Sequence, residues 1–421
     1  MKNNGTNSKV RNGLVAALDI GSTKVVCFIA RTGGDTGLQI IGMGHQLSRG
    51  IRSGTIVDME AAADSIRATV EAAEQMAGEN IREVVVNLSG GEPASRLIAY
   101  EISIAGHQIG DADLRQVLDP NVLNHGRPAD HELVHILPVG YSIDGQRGVA
   151  DPRGMFGERL GANVHVISAS NGALRNLATC IAHCHLEIDD KVISPLASSL
   201  ACLVGDEKEL GVTLIDMGGG TTTIAVYFDG ELIHTDGIPV GGMHVTNDIA
   251  RGLSTPVAHA ERMKTLYGSA MPSPSDDREV LKVPVIGEET EAESNPVPRS
   301  MLVSIIRPRI EETFEMVRAR LEETGFDKVA GRRVVLTGGA SQLSGVREVA
   351  GMILDKQIRL GRPQPIRGMA EATGGPAFST CAGLLKYAIR TQAAAVSSPY
   401  RPTEVPNGRF SRFGQWLREN F

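Results

Sequence analysis

The sequence predicts an α/β protein built from several packed units, and three observations carry that reading. A short apolar run that ends in an aspartate and a glycine turn occurs twice, at residues 14–21 and 212–218, so that Asp19 and Asp216 recur 197 positions apart. Each copy leads into a second apolar run rich in Val, Ile and Thr, while stretches of helical periodicity alternate with further short apolar runs. The 421 residues, 42% of them hydrophobic, exceed what one core accommodates and fit two to four packed units.

Composition narrows the class. A formal net charge of −7 argues against a broad basic footprint for nucleic acid, so none is expected as a partner. The five cysteines (Cys27, Cys180, Cys184, Cys202, Cys381) are odd in number and irregularly spaced, mostly inside apolar runs, which points to a reducing compartment and no disulfide framework. Cys180, His183, Cys184 and His185 offer ligand types but fall within one predicted helix with no second cluster, so they read as packing residues. The first residues are polar without an apolar signal core, and no run of eighteen apolar residues occurs; the expectation is a protein neither secreted nor membrane-spanning.

Taken in order, residues 1–12 read as a disordered tail, and 14–30 as strand, turn and strand. Residues 59–78 have the alanine-rich, charged pattern of a helix, and 84–88 form a buried strand that stops at Ser89-Gly90-Gly91. From 91 to 168 the texture changes to short strand-like pieces with Asp and Gly turns, ending in DPRGMFGERLGANVHVI; this is an inserted small α+β unit. A helix follows with its cap near Ser170 or Asn171, then a strand, then a helix opened by Ser194-Pro195, where proline suits the first turn. Beyond the second copy of the repeat, 269–300 reads as a loop or hairpin, 302–324 as a long amphipathic helix, and VVLTGGAS as strand, turn and helix. Residues 391–407, with Pro399, Pro402 and Pro406, are expected as an extended linker reaching at most ~50 Å.

The two repeated turns carry the chemistry. Gly21-Ser22-Thr23 and Gly218-Gly219-Gly220-Thr221-Thr222 can each present backbone N–H groups as an anion-binding nest. A carboxylate beside a phosphate repels it, so Asp19 and Asp216 make sense if magnesium with its waters lies between, which implies a nucleotide. Either turn alone is ordinarily just a tight turn; the duplication raises the pair above that. A third turn, with Gly338, Gly339 and Ser341 between a strand and a helix, lets backbone approach a flat ring or sugar.

LDIGSTK, IDMGGGTT and VLTGGAS, in that order, resemble the phosphate 1, phosphate 2 and adenosine motifs of the superfamily of actin, the 70-kDa heat-shock chaperones and the sugar kinases. That resemblance implies two actin-like, ribonuclease-H-like lobes closing on ATP or ADP with Mg2+, with Lys24 added to the first phosphate turn. Within the superfamily, GIRSGTIVDMEAA, DPRGMFGERLG, VGGMHVTNDIA and AERMKTLYG resemble stretches of the FtsA cell-division family. The likeness implies subdomain 1A at 13–90 with 169–205, an inserted 1C at 91–168, 2A at 206–242 with 302–390, and 2B at 243–301. It also implies nucleotide contacts at Gly242, Glu261 and Lys264; by themselves Glu261 and Lys264 are a helical charge pair three residues apart.

One departure bears on mechanism. Relatives place Glu or Gln where this chain has Ser194, and a serine orients an attacking water poorly. The expected consequence is at most slow hydrolysis, with ATP as a structural ligand. Family resemblance further implies self-assembly into filaments, recruitment of later division proteins, and residence at the cytoplasmic face of the inner membrane at the division site. It places Arg307 and Arg309 near the face that receives the C-terminal tail of FtsZ; read alone, they could pair with Glu311 and Glu312.

In GRFSRFGQWLRENF, residues 408–421, the large apolar side chains Phe410, Phe413, Trp416, Leu417 and Phe421 fall on one helical stripe, with Arg409, Arg412 and Arg418 around it. Aromatic and cationic residues so arranged suit an anionic bilayer surface, the targeting helix that FtsA proteins resemble this chain in carrying; docking on the protein's own body or in a partner's groove are the alternatives. Two other functions share the nucleotide motifs: a PilM-like pilus-assembly adaptor, and an actin-fold kinase, for which no positioned base beside a substrate pocket is visible.

Overall fold

The computed structural model describes residues 13–33, 38–123, 126–287 and 295–397. The expected tail at 1–12 and the amphipathic stripe at 408–421 lie outside the described residues.

The two copies of the repeat form two sheets with one strand order. In the first, Leu14–Ile20 pairs antiparallel with Lys24–Thr32, which pairs with Leu38–Leu47; on its other side it runs parallel to Glu83–Leu88 and then Glu187–Ile193. In the second, Val212–Met217 pairs antiparallel with Thr222–Phe228, followed by Glu231–Ile238, and parallel with Arg333–Thr337 and Gln357–Leu360. Both central strands are covered on both faces, which is why they read as unbroken apolar runs. Each ends one residue past its aspartate, with Asp19 opposite Val26 and Asp216 opposite Thr223.

Helix Met59–Ala77 begins at Asp58, whose side chain accepts from the Ala61 N–H at 3.1 Å, and ends at Gly78 in the left-handed conformation. It lies so close to strand Leu38–Leu47 that a Cβ on Gly44 would stand 2.0 Å from the Thr69 carbonyl oxygen. Gly44→Ala is therefore expected to cost about 1–3 kcal/mol in urea unfolding, the usual range for overpacking against backbone. Between the sheets, helix Ser194–Cys202, opened by Pro195, crosses helix Ser379–Ser397; there a Cβ on Gly383 would lie 1.7 Å from the Ala197 carbonyl oxygen. Residues from both sheets and from these two helices share one buried apolar cluster.

The inserted unit is a separate antiparallel sheet in the order Ala94–Ser103, Arg159–Ser170, His131–Ile143, Gln146–Val149. Helices Asp111–Val117 and Pro120–Leu123 bury Leu114, Val117 and Leu123 with Ile136, Leu160 and Val164 in a core of its own. Residues 269–300 contain the hairpin Val280–Val283 with Asn295–Pro298, and the long helix runs Arg299–Glu323 with Pro308 inside it.

One boundary needs correction. The last helix continues to Ser397, so 391–397, expected as the start of an extended linker, is helical. Its sequence, TQAAAVS, is dominated by strong helix formers and meets no proline before Pro399. Among the described residues no helix is long and apolar enough to cross a membrane.

Candidate functional site

The ends of the two central strands meet across a cleft of about 600 Å³, open to solvent. Its walls include Asp19, Gly21, Ser22, Thr23 and Lys24 from one turn and Asp216, Gly218, Gly219, Gly220 and Thr221 from the other. The turns have the same closure: Gly21 N–H donates to the Lys24 carbonyl at 3.0 Å, and Gly218 N–H to that of Thr221 at 2.8 Å. They touch edge to edge, since a Cβ on Gly219 would stand 2.3 Å from Thr23 Cγ2 and one on Gly220 2.4 Å from Ser22 Oγ. The third turn also reaches the cleft through Gly338 and Gly339, and then forms a short 3-10 turn, Gly339–Gln342, ahead of helix Val346–Leu354.

The remaining expected contacts are not among the residues lining the cleft. Thr222 Oγ1 donates to the Val240 carbonyl at 2.8 Å, and Ser341 Oγ to that of Gly338 at 2.7 Å, both buried. Gly242 N–H is taken by the Gly218 carbonyl at 2.9 Å, so the first turn of helix Gly242–Gly252 braces the second glycine turn. Lys264 Nζ lies 2.7 Å from Glu261 Oε2 and also donates to Thr246 Oγ1 at 2.8 Å and to the Gly242 carbonyl at 3.1 Å. This network adjoins the third turn, because a Cβ on Gly242 would be 3.1 Å from Ala340 Cβ.

Asn87, Ser198 and Thr380, polar residues that hold the side chains and backbone around the cleft, were not anticipated. Asn87 accepts from the Ile20 N–H at 2.7 Å and donates to Ser194 Oγ at 3.2 Å, which places Ser194 on the cleft wall. Ser198 Oγ donates to Asp216 Oδ2, and Thr380 Oγ1 donates to the same oxygen at 3.1 Å. Ser198 is one of three serines in its short helix and nothing in the pattern singles it out; nothing in the sequence links Thr380 to an aspartate 164 positions away.

Two buried carboxylates reach this cleft. Burial, opposed by Lys24 and reinforced by Asp216, pushes the Asp19 carboxyl up to about 7. Burial also raises that of Asp216, against the hydrogen bonds from Ser198 and Thr380 and the charge of Lys24. Lys24 Nζ lies 3.5 Å above the Phe378 ring, which stacks on Phe28 with 6.3 Å between centroids. Two facing carboxylates without a third acidic, His or Cys ligand among the described residues fit a magnesium ion that keeps waters and takes phosphate oxygens, and fit poorly a site supplied by protein alone.

Arg307 and Arg309 lie apart from the cleft and are engaged within the chain. Arg307 Nε is 2.7 Å from Glu311 Oε1, while Arg309 Nε is 2.6 Å from Asp248 Oδ2 and also pairs with Glu312. The apolar and arginine residues of 408–421 fall outside the described residues.

Two sheets of identical order, each offering an aspartate and a glycine turn to one interlobe cleft, define an actin-like fold. Among solved structures, that of the PilM-PilN type IV pilus biogenesis complex superposes with a TM-score of 0.63 at 17% identity, over 89% of this chain and 98% of the other. MreB5 of Spiroplasma citri bound to ADP gives 0.53 at 13% identity, over 90% and 98%; both likenesses are of fold alone. The family profile of cell division protein FtsA matches residues 213–383, and that of the SHS2 domain inserted in FtsA matches 90–168. Cell division protein FtsA of Agrobacterium fabrum is 45% identical over 427 residues, covering 98% of this chain and 96% of the relative. Those of Pseudomonas aeruginosa and Escherichia coli K12 are 36% and 32% identical, covering 98% and 97% of this chain and 100% and 98% of the relatives. The chain belongs to the FtsA family of cell-division proteins.

Proposed function

We propose that this protein binds ATP with Mg2+ in the interlobe cleft, assembles into filaments at the cytoplasmic face of the inner membrane, and tethers the FtsZ ring there through residues 408–421, recruiting later division proteins. The observation that supports the nucleotide site is the pair of facing phosphate turns with Asp19 and Asp216 behind them. In this reading Gly21, Ser22, Thr23, Lys24 and Gly218 to Thr221 hold the phosphates. Gly338, Gly339 and Gly242 face the base and sugar together with Glu261 and Lys264, which contact ribose and adenine, while Thr222 and Ser341 back the turns. Bound Mg2+ would offset the two carboxylates and the phosphate charge together. Ser194, engaged by Asn87, is a weak candidate for orienting water, in keeping with slow or absent turnover.

The subdomain scheme (1A, 1C, 2A and 2B) is part of the same proposal, with the 1C unit as a filament contact. Arg307 and Arg309 are available to an acidic tail such as that of FtsZ only by exchanging their present carboxylate partners. For the tail at 408–421, burying a Leu or Phe side chain contributes ~1.5–3 kcal/mol when complete, and interfacial burial is partial, so one tail binds weakly. Many tails on one filament bind together through effective concentration.

The test is vesicle co-sedimentation with ATP and Mg2+, comparing the full chain with one ending at Asn407, with and without FtsZ. Only the full chain is expected to pellet with anionic vesicles and to carry FtsZ with it. Trp416→Glu is expected to abolish pelleting while nucleotide binding persists. Equal pelleting of both lengths would refute the tail assignment.

A further inference from the structure

The cleft has a third neighbour, the small hairpin of Ile51–Arg52 and Thr55–Ile56. Its turn residues Ser53 and Gly54 both have positive φ, 46° and 73°, as a two-residue hairpin turn requires of its central positions. This turn packs against the two phosphate turns. Gly54 N–H donates to Ser22 Oγ at 2.9 Å, and a Cβ on Gly220 would stand 3.0 Å from Ser53 Cα.

On its other side the hairpin meets the root of the inserted sheet. A Cβ on Gly54 would lie 2.6 Å from Gly90 N, and one on Gly90 2.6 Å from the Gly54 carbonyl carbon, so backbone rests on backbone with no side chain to yield. Gly90 and Gly91 carry the chain out of the first lobe, and the returning strand is bonded to them, Ser170 N–H donating to the Gly91 carbonyl at 2.9 Å. A small, mostly apolar space lined by Ile51, Ile56, Leu88, Gly90, Ala173 and Leu177 adjoins the hairpin. The insert also rests on the second lobe: Thr235 N–H donates to Ser95 Oγ at 3.1 Å, Ser95 Oγ lies 2.7 Å from His165 Nε2, and His165 Nδ1 lies 2.8 Å from the Leu232 carbonyl.

We propose that the hairpin at 51–56 couples phosphate occupancy of the cleft to the root of the inserted sheet, so that the orientation of the insert follows the nucleotide state. This rests on the nucleotide reading of the cleft. Ser22 Oγ accepts from Gly54 and keeps its own proton for a phosphate oxygen, and a hydroxyl polarised at one end binds more strongly at the other. Closing the lobes presses Gly220 on Ser53, and the rigid contact at Gly90 passes the displacement to the insert, which the second lobe also holds at Ser95 and His165. The hairpin is a positioning element and transfers nothing to the nucleotide.

Amide hydrogen exchange on the full chain, with and without ATP and Mg2+, separates the two readings. Nucleotide is expected to slow exchange in both phosphate turns and, by about tenfold, at 89–95 and 168–171. In Gly54→Ala the turns are expected to keep their protection while the root loses it. Should that variant not fold, Ser53→Gly, which adds no atom and slackens the turn, is expected to cut the root's protection by about half on the logarithmic scale. Protection confined to the phosphate turns of the unaltered chain, or root protection that persists in the variants, overturns the coupling and leaves the nucleotide site standing. Protection nowhere overturns both.

Discussion

Gly338→Ala is expected to lower nucleotide affinity about a hundredfold or more and to destabilise the fold by about 3 kcal/mol, a left-handed penalty joined to overpacking. Gly338 sits at φ +85°, and an added Cβ would lie 2.3 Å from Asp216 Oδ1 and 2.4 Å from the Met217 carbonyl oxygen. Neither neighbour can retreat, because one is a buried carboxylate held by Ser198 and Thr380 and the other is backbone of the central strand. The adjacent Gly339→Ala is the control: its Cβ would have Ala377 Cβ at 3.7 Å, an ordinary contact, and its φ is unremarkable for a side chain. Titration with a fluorescent ATP analogue and urea unfolding of both variants measure the contrast. Equal behaviour of the two would mean that the third turn relaxes away from Asp216 and does not set the position of that carboxylate.

Asp19→Asn is expected to raise the stability of the ligand-free protein at pH 8 while removing its response to magnesium. The folded-state value, pushed up to about 7 chiefly by burial, lies above the ordinary carboxylate value of 3.8. Such a group contributes stability in its protonated form at low pH and loses it as pH rises through about 7, so at pH 8 the buried charge costs on the order of 4 kcal/mol at most. Asparagine escapes that cost, and the gain in melting temperature should be full at pH 8, reduced at pH 5 and gone below about pH 4. The unaltered protein should show the counterpart in binding. A cation must displace the Asp19 proton below pH 7, so Mg2+-ATP affinity should fall about tenfold per unit in that range. Calorimetric titrations at pH 6, 7 and 8 decide it, and an affinity flat across the three would remove Asp19 from the cation site.

What could be read from the residues followed burial. Leu14–Ile20 and Val212–Met217 are covered on both faces, so their apolar runs and the aspartate at each end stand out without any knowledge of partners. The insert was legible because the texture changes there to short strand-like pieces with Asp and Gly turns, the mark of a unit that closes on a core of its own. The polar partners of the site were not legible, since Asn87, Ser198 and Thr380 reach it from three separate elements and only tertiary packing brings them to Asp19 and Asp216. Thr222 and Ser341 lie inside the motifs yet turn inward to backbone carbonyls, a choice settled by φ and by neighbours that a pattern of residue types does not encode. Arg309 illustrates the same limit, with its main partner, Asp248, on a helix 61 positions earlier.

The crossing of helix Ser194–Cys202 with helix Ser379–Ser397 has a mechanical meaning. At Gly383 the two backbones touch without an intervening side chain, deep between the sheets. A joint with no compressible material behaves as a fulcrum: relative rotation of the lobes about it displaces distant atoms in proportion to their lever arm. Asp216, bonded to Ser198 and Thr380 on those same two helices, sits near the axis and moves little. The inserted sheet is built on a separate core away from this crossing, so a small rotation at the pivot becomes a larger excursion there.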